Sequence, residues 1–227
     1  MNKAYVIGCS HVSGSEIEGF GVTYITPFGL ANSFAAQLAT KLGYETVNLG
    51  FPGASNDYIF RKLYELGRDK TIGPNDIVFL HWTGDERIEI YDEQQDKWIN
   101  FSIGMSLQMA EHHDIHRSFY DIYIKLLCDS RGRRADLNKV KNIMSANAFA
   151  EQYNINVINH CSFQLAPHQG LEKTYKWMRP ESTFMDWALT TDYKKSDWYH
   201  YELAAHTEYA EILYQDIKQR NLLSNAI

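Results

Sequence analysis

Four short runs constrain this chain more than anything else in it: KAYVIGC at 3–9, ETVNLG at 45–50, DIVFLHW at 76–82 and INVINHC at 155–161. Each is apolar along most of its length and rich in β-branched residues rather than alternating, the pattern of a strand covered on both faces. The stretches between them are helical in character, over 30–43, 55–67 and 136–153, and a last helix is expected over 201–220. In the first of these, Leu30, Phe34, Leu38 and Leu42 share a face, and Gly43 stands where a C-terminal cap belongs. Strands alternating with helices predict an α/β fold, a three-layer α/β/α sandwich around a central parallel sheet, flavodoxin-like in layout.

A length of 227 residues suits one sizeable core, so the reading is a single domain over 1–227. Two regions, 84–104 and 162–199, do not fit the alternation and read as loop insertions, the first as a loop or small hairpin. Residues 106–130 read as one additional helix. Loops this long in a compact fold are often lids or binding walls.

Charge and cysteine usage exclude several function classes. With 22 basic against 28 acidic side chains the formal charge is −6, which opposes a general attraction to nucleic acid or anionic lipid. The basic cluster SRGRR at 130–134 reads as a solvated turn. Met1-Asn2-Lys3 leads straight into a strand without a secretory leader, and no segment approaches a span of ~20 apolar residues. Three widely separated cysteines, Cys9, Cys128 and Cys161, suit a reducing compartment better than a disulfide framework. The expectation is a cytoplasmic protein with no nucleic-acid or membrane partner.

In parallel sheets ligands bind beyond the carboxyl ends of the strands, which directs attention to CSH, GFPGASN, TGDER and HCSFQ. After the first strand, Ser10 is a candidate nucleophile, Cys9 is a rival one, and an ordinary capped turn is the third reading. The lipase elbow G-x-S-x-G is not met, because Val12 takes the last glycine position, and a phosphate-binding loop fails for want of its lysine. A serine nucleophile needs a base. Asp197 and His200 are three residues apart, close enough for one turn to bring carboxylate to imidazole. The turn at 48–57, with Gly50, Gly53 and a helix start at Ser55-Asn56-Asp57, offers backbone N–H groups to a developing oxyanion. His112 and His116, one helical turn apart, form a two-histidine half-site, but they lack the glutamate of H-E-x-x-H and a third ligand, so no metal or other cofactor is expected.

Taken together, Gly8-Cys9-Ser10 after the first strand, Asn48-x-Gly50-x-x-Gly53 after the second, and Asp197-x-x-His200 near the end resemble the blocks of the SGNH (GDSL-like) hydrolases, in the right order along nearly the whole chain. The resemblance implies that Ser10 is the nucleophile, that His200 and Asp197 complete the triad, and that the N–H groups of Ser10 and Gly53 serve the oxyanion hole. Three positions depart from the pattern. Cys9 replaces the aspartate of Gly-Asp-Ser, Tyr201 replaces the proline after the histidine, and HWTGDER at 81–87 lacks the oxyanion asparagine, for which Thr83 or Asn56 would have to substitute. Arg87 is read as orienting an anionic substrate or, alternatively, as pairing with Glu86 or Glu89. Trp198, inside the catalytic turn, is read as a substrate contact. The implied activity is hydrolysis of an ester, with a small-molecule or carbohydrate acceptor; the alternative, raised by the missing asparagine, is a binding domain that keeps the pocket without turnover, and a third reading is metal-dependent hydrolysis using His112 and His116.

Overall fold

The structure, a computed structural model, describes residues 1–20, 25–101, 125, 133–163, 170–179, 182–197 and 199–223. Strands form where the continuous apolar runs place them: β1 (Lys3–Ile7), β2 (Glu45–Asn48), β3 (Ile77–Trp82) and β6 (Asn156–Cys161). They make a parallel sheet in the order β2-β1-β3-β6, in which Tyr5 pairs with Val47 and Val78, and Leu80 with Asn159.

Because successive side chains on a strand point to opposite faces, β1, β3 and β6 each supply two separate cores. Ala4, Val6, Ile77, Phe79 and Ile158 pack on one face with α3 (Phe34–Lys41) and α8 (Leu203–Gln219). Tyr5, Ile7, Val78, Leu80, Trp82 and Val157 pack on the other with α4 (Asn56–Arg68) and α5 (Arg133–Gln152). A strand covered on both faces has no polar side to show, which is why the runs of β1, β3 and β6 read as continuous rather than alternating, while β2, at the end of the sheet, is only half-buried.

The helix expected over 30–43 is two helices. Pro27 opens α2 (Pro27–Asn32), and Ser33, extended at ψ 154°, ends it and caps α3 by accepting a hydrogen bond from Ala36 N. Gly43 follows α3 in the left-handed conformation, as its place after the periodic residues predicts. Within the insertion at 84–104, β4 (Ile88–Asp92) and β5 (Lys97–Phe101) pair as an antiparallel hairpin. The hairpin is tied to α4 by Ser55 N donating to Asn100 Oδ1, Glu89 N donating to Asp57 Oδ2, and a two-point Arg61–Glu89 ion pair. The remaining short helices are α1 (Ser10–Ser13), α6 (Leu171–Thr174) and α7 (Phe184–Ala188). Among the described residues no helix is long and apolar enough to cross a membrane.

Candidate active site

The first strand delivers Ser10 to the carboxyl edge of the sheet. Cys9, extended, precedes the single turn of α1, and its carbonyl accepts from Val12 N and Ser13 N. Its thiol is buried, and no described hydrogen bond uses it. Asn48 fastens this turn to the second strand. Its side-chain amide donates to Val12 O and Leu30 O at 2.8 Å each, and its Oδ1 accepts from Gly50 N at 2.9 Å. Gly50 is required here, since a Cβ at that position would lie 2.4 Å from Ser13 N. The next turn carries Gly53 at φ 77°. Among the described residues neither the Ser10 N–H nor the Gly53 N–H makes a hydrogen bond, so both donors required of an oxyanion hole are unspent.

The two side-chain candidates for that hole differ. Asn56 is fully buried, with Nδ2 turned to Thr83 O and Gly84 O, and its Oδ1 accepts from Thr83 N at 2.9 Å. Its amide bolts the start of α4 to the end of β3. The expectation that it could donate to an oxyanion is corrected, because its hydrogens are already directed at these two carbonyls. Thr83 Oγ1, by contrast, is sealed at the end of β3 without a hydrogen-bond partner.

His200 lies in a tight turn. Ser196 N donates to His200 O at 2.8 Å, and Tyr199 takes a left-handed φ of 58°. The carboxylate that meets its ring is not that of Asp197. His200 Nδ1 is 2.6 Å from Glu16 Oε2, and Ser196 Oγ donates to the same oxygen. The turn leaves Asp197 exposed, with no described bond to His200, so the carboxylate expected from the Asp-x-x-His spacing is replaced by one from 184 residues away. Glu16 is itself buried, its side chain only 1% exposed, and its backbone is left-handed at φ 63°. Strained backbone of this kind persists only where surrounding structure over-determines it. Sequence reasoning missed Glu16. The available signal was a carboxylate six residues beyond Ser10, in the loop that follows it.

Burial pulls the His200 pKa below its ordinary value, with Glu16 opposing and Arg87 adding to the fall. The ring is therefore neutral near pH 7, the form a general base needs. Among the described residues no hydrogen bond joins Ser10 Oγ to His200, while the His200 ring meets that of His11, the residue after Ser10, edge-on at 5.3 Å. Catalytic hydrogen bonds are commonly long without substrate. His206, six residues on, belongs to the core: its Nδ1 accepts from Phe34 N.

Arg87 completes the surroundings. Its guanidinium stacks over Phe163 at 4.8 Å and reaches Ala54 O through Nη1 at 3.4 Å. Trp198, His112 and His116 lie outside the described residues. Among the described residues no group of three or more His, Cys, Asp or Glu side chains could hold a metal ion.

No family model matches the chain, and no curated protein matches it in sequence. Solved structures do. One is a protein assigned to the G-D-S-L lipolytic family from Desulfitobacterium hafniense DCB-2, at TM-score 0.51 and 14% identity, with 95% of this chain and 99% of that one covered. Another is an acetyl xylan esterase from the rumen bacterium Butyrivibrio proteoclasticus, at TM-score 0.51 and 13% identity, with 96% of this chain covering 64% of that longer one. The fold is that of the SGNH-like hydrolases.

Proposed function

We propose that this protein is a serine esterase whose triad is Ser10, His200 and Glu16. The observation that carries the reading is the 2.6 Å contact between His200 Nδ1 and the buried Glu16 carboxylate. That contact fixes the tautomer with the proton on Nδ1, leaving Nε2 as acceptor, and it stabilises the imidazolium formed during reaction. His200 takes the Ser10 hydroxyl proton as Oγ attacks the ester carbonyl. The oxyanion rests against the N–H groups of Ser10 and Gly53, with the Thr83 hydroxyl in place of an amide donor. The imidazolium then gives its proton to the departing alcohol, and water, deprotonated by His200, releases the acid and restores Ser10.

The acceptor we favour is a carbohydrate or other polar small molecule. Its support is the esterase among the structural neighbours and the aromatic side chains exposed on the hairpin, Tyr91 and Trp98.

The test is fluorophosphonate labelling of Ser10, with kcat/KM on aryl acetates and acetylated sugars for wild type, Ser10→Ala, Glu16→Gln and Asp197→Asn. Loss of the carboxylate beside a catalytic histidine costs on the order of 10⁴ in kcat. Glu16→Gln should therefore fall about a thousandfold or more, while Asp197→Asn stays within about threefold. The reverse ranking would return the acid role to Asp197. A protein that neither labels nor turns over any ester would instead be an SGNH-like binding domain.

A further inference from the structure

Around the candidate site most acids are already matched. Glu16 meets His200, Glu89 takes two hydrogen bonds from Arg61 at 2.7 Å, and Asp85 lies 2.8 Å from the fully buried Lys139. This removes Glu89 as a partner for Arg87. Glu86 does pair with Arg87, but as a loose ion pair: its Oε1 stands 3.6 Å from Arg87 Nε, within ion-pair reach and beyond hydrogen-bond length, while its carboxylate folds back over Gly84.

Arg87 is thus a mostly buried cation, its side chain 15% exposed, with donors in hand. Its Nε is sealed and has no hydrogen-bond partner, its Nη1 makes one long bond to Ala54 O, and its Nη2 makes none to any described residue. An enclosed guanidinium N–H left without a hydrogen bond is costly, and such a group in a native protein calls for a ligand or another explanation.

Its location suggests the ligand. Ala54 follows Gly53 of the oxyanion turn, and Phe163, under the guanidinium, packs against His11 at 4.9 Å, which in turn packs against His200. The cation also helps to hold His11 and His200 neutral by repulsion. A planar fork of N–H donors is the geometry that recognises a carboxylate. We propose that Arg87 is a specificity residue binding a carboxylate carried by the substrate beside its ester bond, so that the preferred substrates are anionic esters. This rests on the esterase reading for its chemistry, though not for the binding itself.

Two matched pairs separate the acyl from the alcohol side. On the acyl side, para-nitrophenyl hemisuccinate is compared with para-nitrophenyl butyrate. On the alcohol side, an O-acetylated methyl galacturonoside is compared with the corresponding galactoside. Calorimetry on Ser10→Ala measures binding without turnover, and kcat/KM on wild type is measured in parallel.

In at least one pair the anionic member should bind about ten- to a hundredfold tighter. Arg87→Met should bring that ratio near one, and Arg87→Lys, which keeps charge but not the fork, should retain part of it. Equal affinity within both pairs, or a preference untouched by Arg87→Met, overturns the proposal. If Arg87→Met does not fold, the wild-type ratios and Arg87→Lys still decide. Hydrolysis of both members without discrimination keeps the esterase and overturns the anion site. Anion-selective binding with no turnover and no Ser10 adduct keeps the anion site and overturns the esterase.

Discussion

Mild acid should strongly destabilise this protein, for a reason visible in its core. His11, His81, His160 and His206 are each no more than 1% exposed. His81 and His160 share an Nδ1···Nδ1 contact of 3.1 Å, and His160 Nε2 meets the Tyr209 hydroxyl at 2.8 Å, while both ring nitrogens of His11 have no hydrogen-bond partner. Burial lowers all four pKa values, those of His81 and His206 to about 3. Unfolded, each would take a proton near pH 6.5, so the unfolded state binds more protons and stability falls as pH drops below that value. At about 1.4 kcal/mol per pH unit per group, pH 5 costs about 2 kcal/mol each for His81 and His206, and His11 and His160, whose pKa values are also lowered, add to the loss. Asp85 acts oppositely. Burial raises its pKa to about 6, so the native state gains a proton first and recovers about 1 kcal/mol by pH 5. The net loss, about 3 kcal/mol from His81 and His206 once Asp85 is set against them and more with His11 and His160 added, is a large fraction of the stability of an ordinary domain. Urea unfolding followed by tryptophan fluorescence between pH 7.5 and 5 should show the midpoint falling steeply below pH 6.5, with a shallower slope, by about one proton, in His81→Gln. A midpoint that moves by less than a tenth across that range would refute the argument that these rings stay neutral in the folded protein.

Three further outcomes follow from the site. Gly50→Ala should cost several-fold in soluble yield and most of any Ser10 labelling, because its Cβ would meet the Ser13 backbone at 2.4 Å; melting temperature and adduct mass check this together. Thr83→Val should lower kcat by about tenfold to a hundredfold with little change in KM, as loss of an oxyanion donor does, and Thr83→Ser should restore part of it. Activity in Glu16-intact enzyme should rise with pH through an inflection below 6.5, following the lowered His200 pKa, with the acid arm measured only where fluorescence shows the protein folded.

The sheet was legible because two-sided burial writes itself into β1, β3 and β6 as nearly uninterrupted apolar runs, and the helix faces because their partners are those same strands. Among the described residues the misread helix, 30–43, shows the limit of periodicity; the helix expected over 106–130 lies, but for residue 125, outside them. Leu30 and Phe34 keep helical spacing across Ser33, yet the serine breaks the backbone and caps the next helix with its own hydroxyl. The oxyanion side chain went astray differently. Asn56 has the right chemistry and the right neighbourhood, but which way an amide faces is set by the carbonyls of Thr83 and Gly84, which only the packed structure brings to it.

The acid of the proposed triad is the most instructive case. Asp197 fits a local rule in which spacing of three brings carboxylate to imidazole, and such rules hold inside regular helices. Residues 196–200 are instead a turn with Tyr199 left-handed, and that geometry exposes Asp197 while presenting Nδ1 of His200 inward. What it meets is fixed by the loop after Ser10, where Ser13 Oγ donates to Ser10 O, Ser13 and Ser15 share a hydroxyl contact, and Gly14 packs against Gly29 so closely that no side chain could intervene. In the proposed triad, nucleophile and acid thus come from one seven-residue stretch, and the base comes from near the far end of the chain. A positive-φ glutamate is costly in a free loop, and the bonds that Ser196 and His200 make to its carboxylate help to hold Glu16 in that conformation. The loop and the turn therefore order each other, and a substitution that frees Ser196, far from Ser10 in sequence, should loosen the nucleophile loop as well as the base.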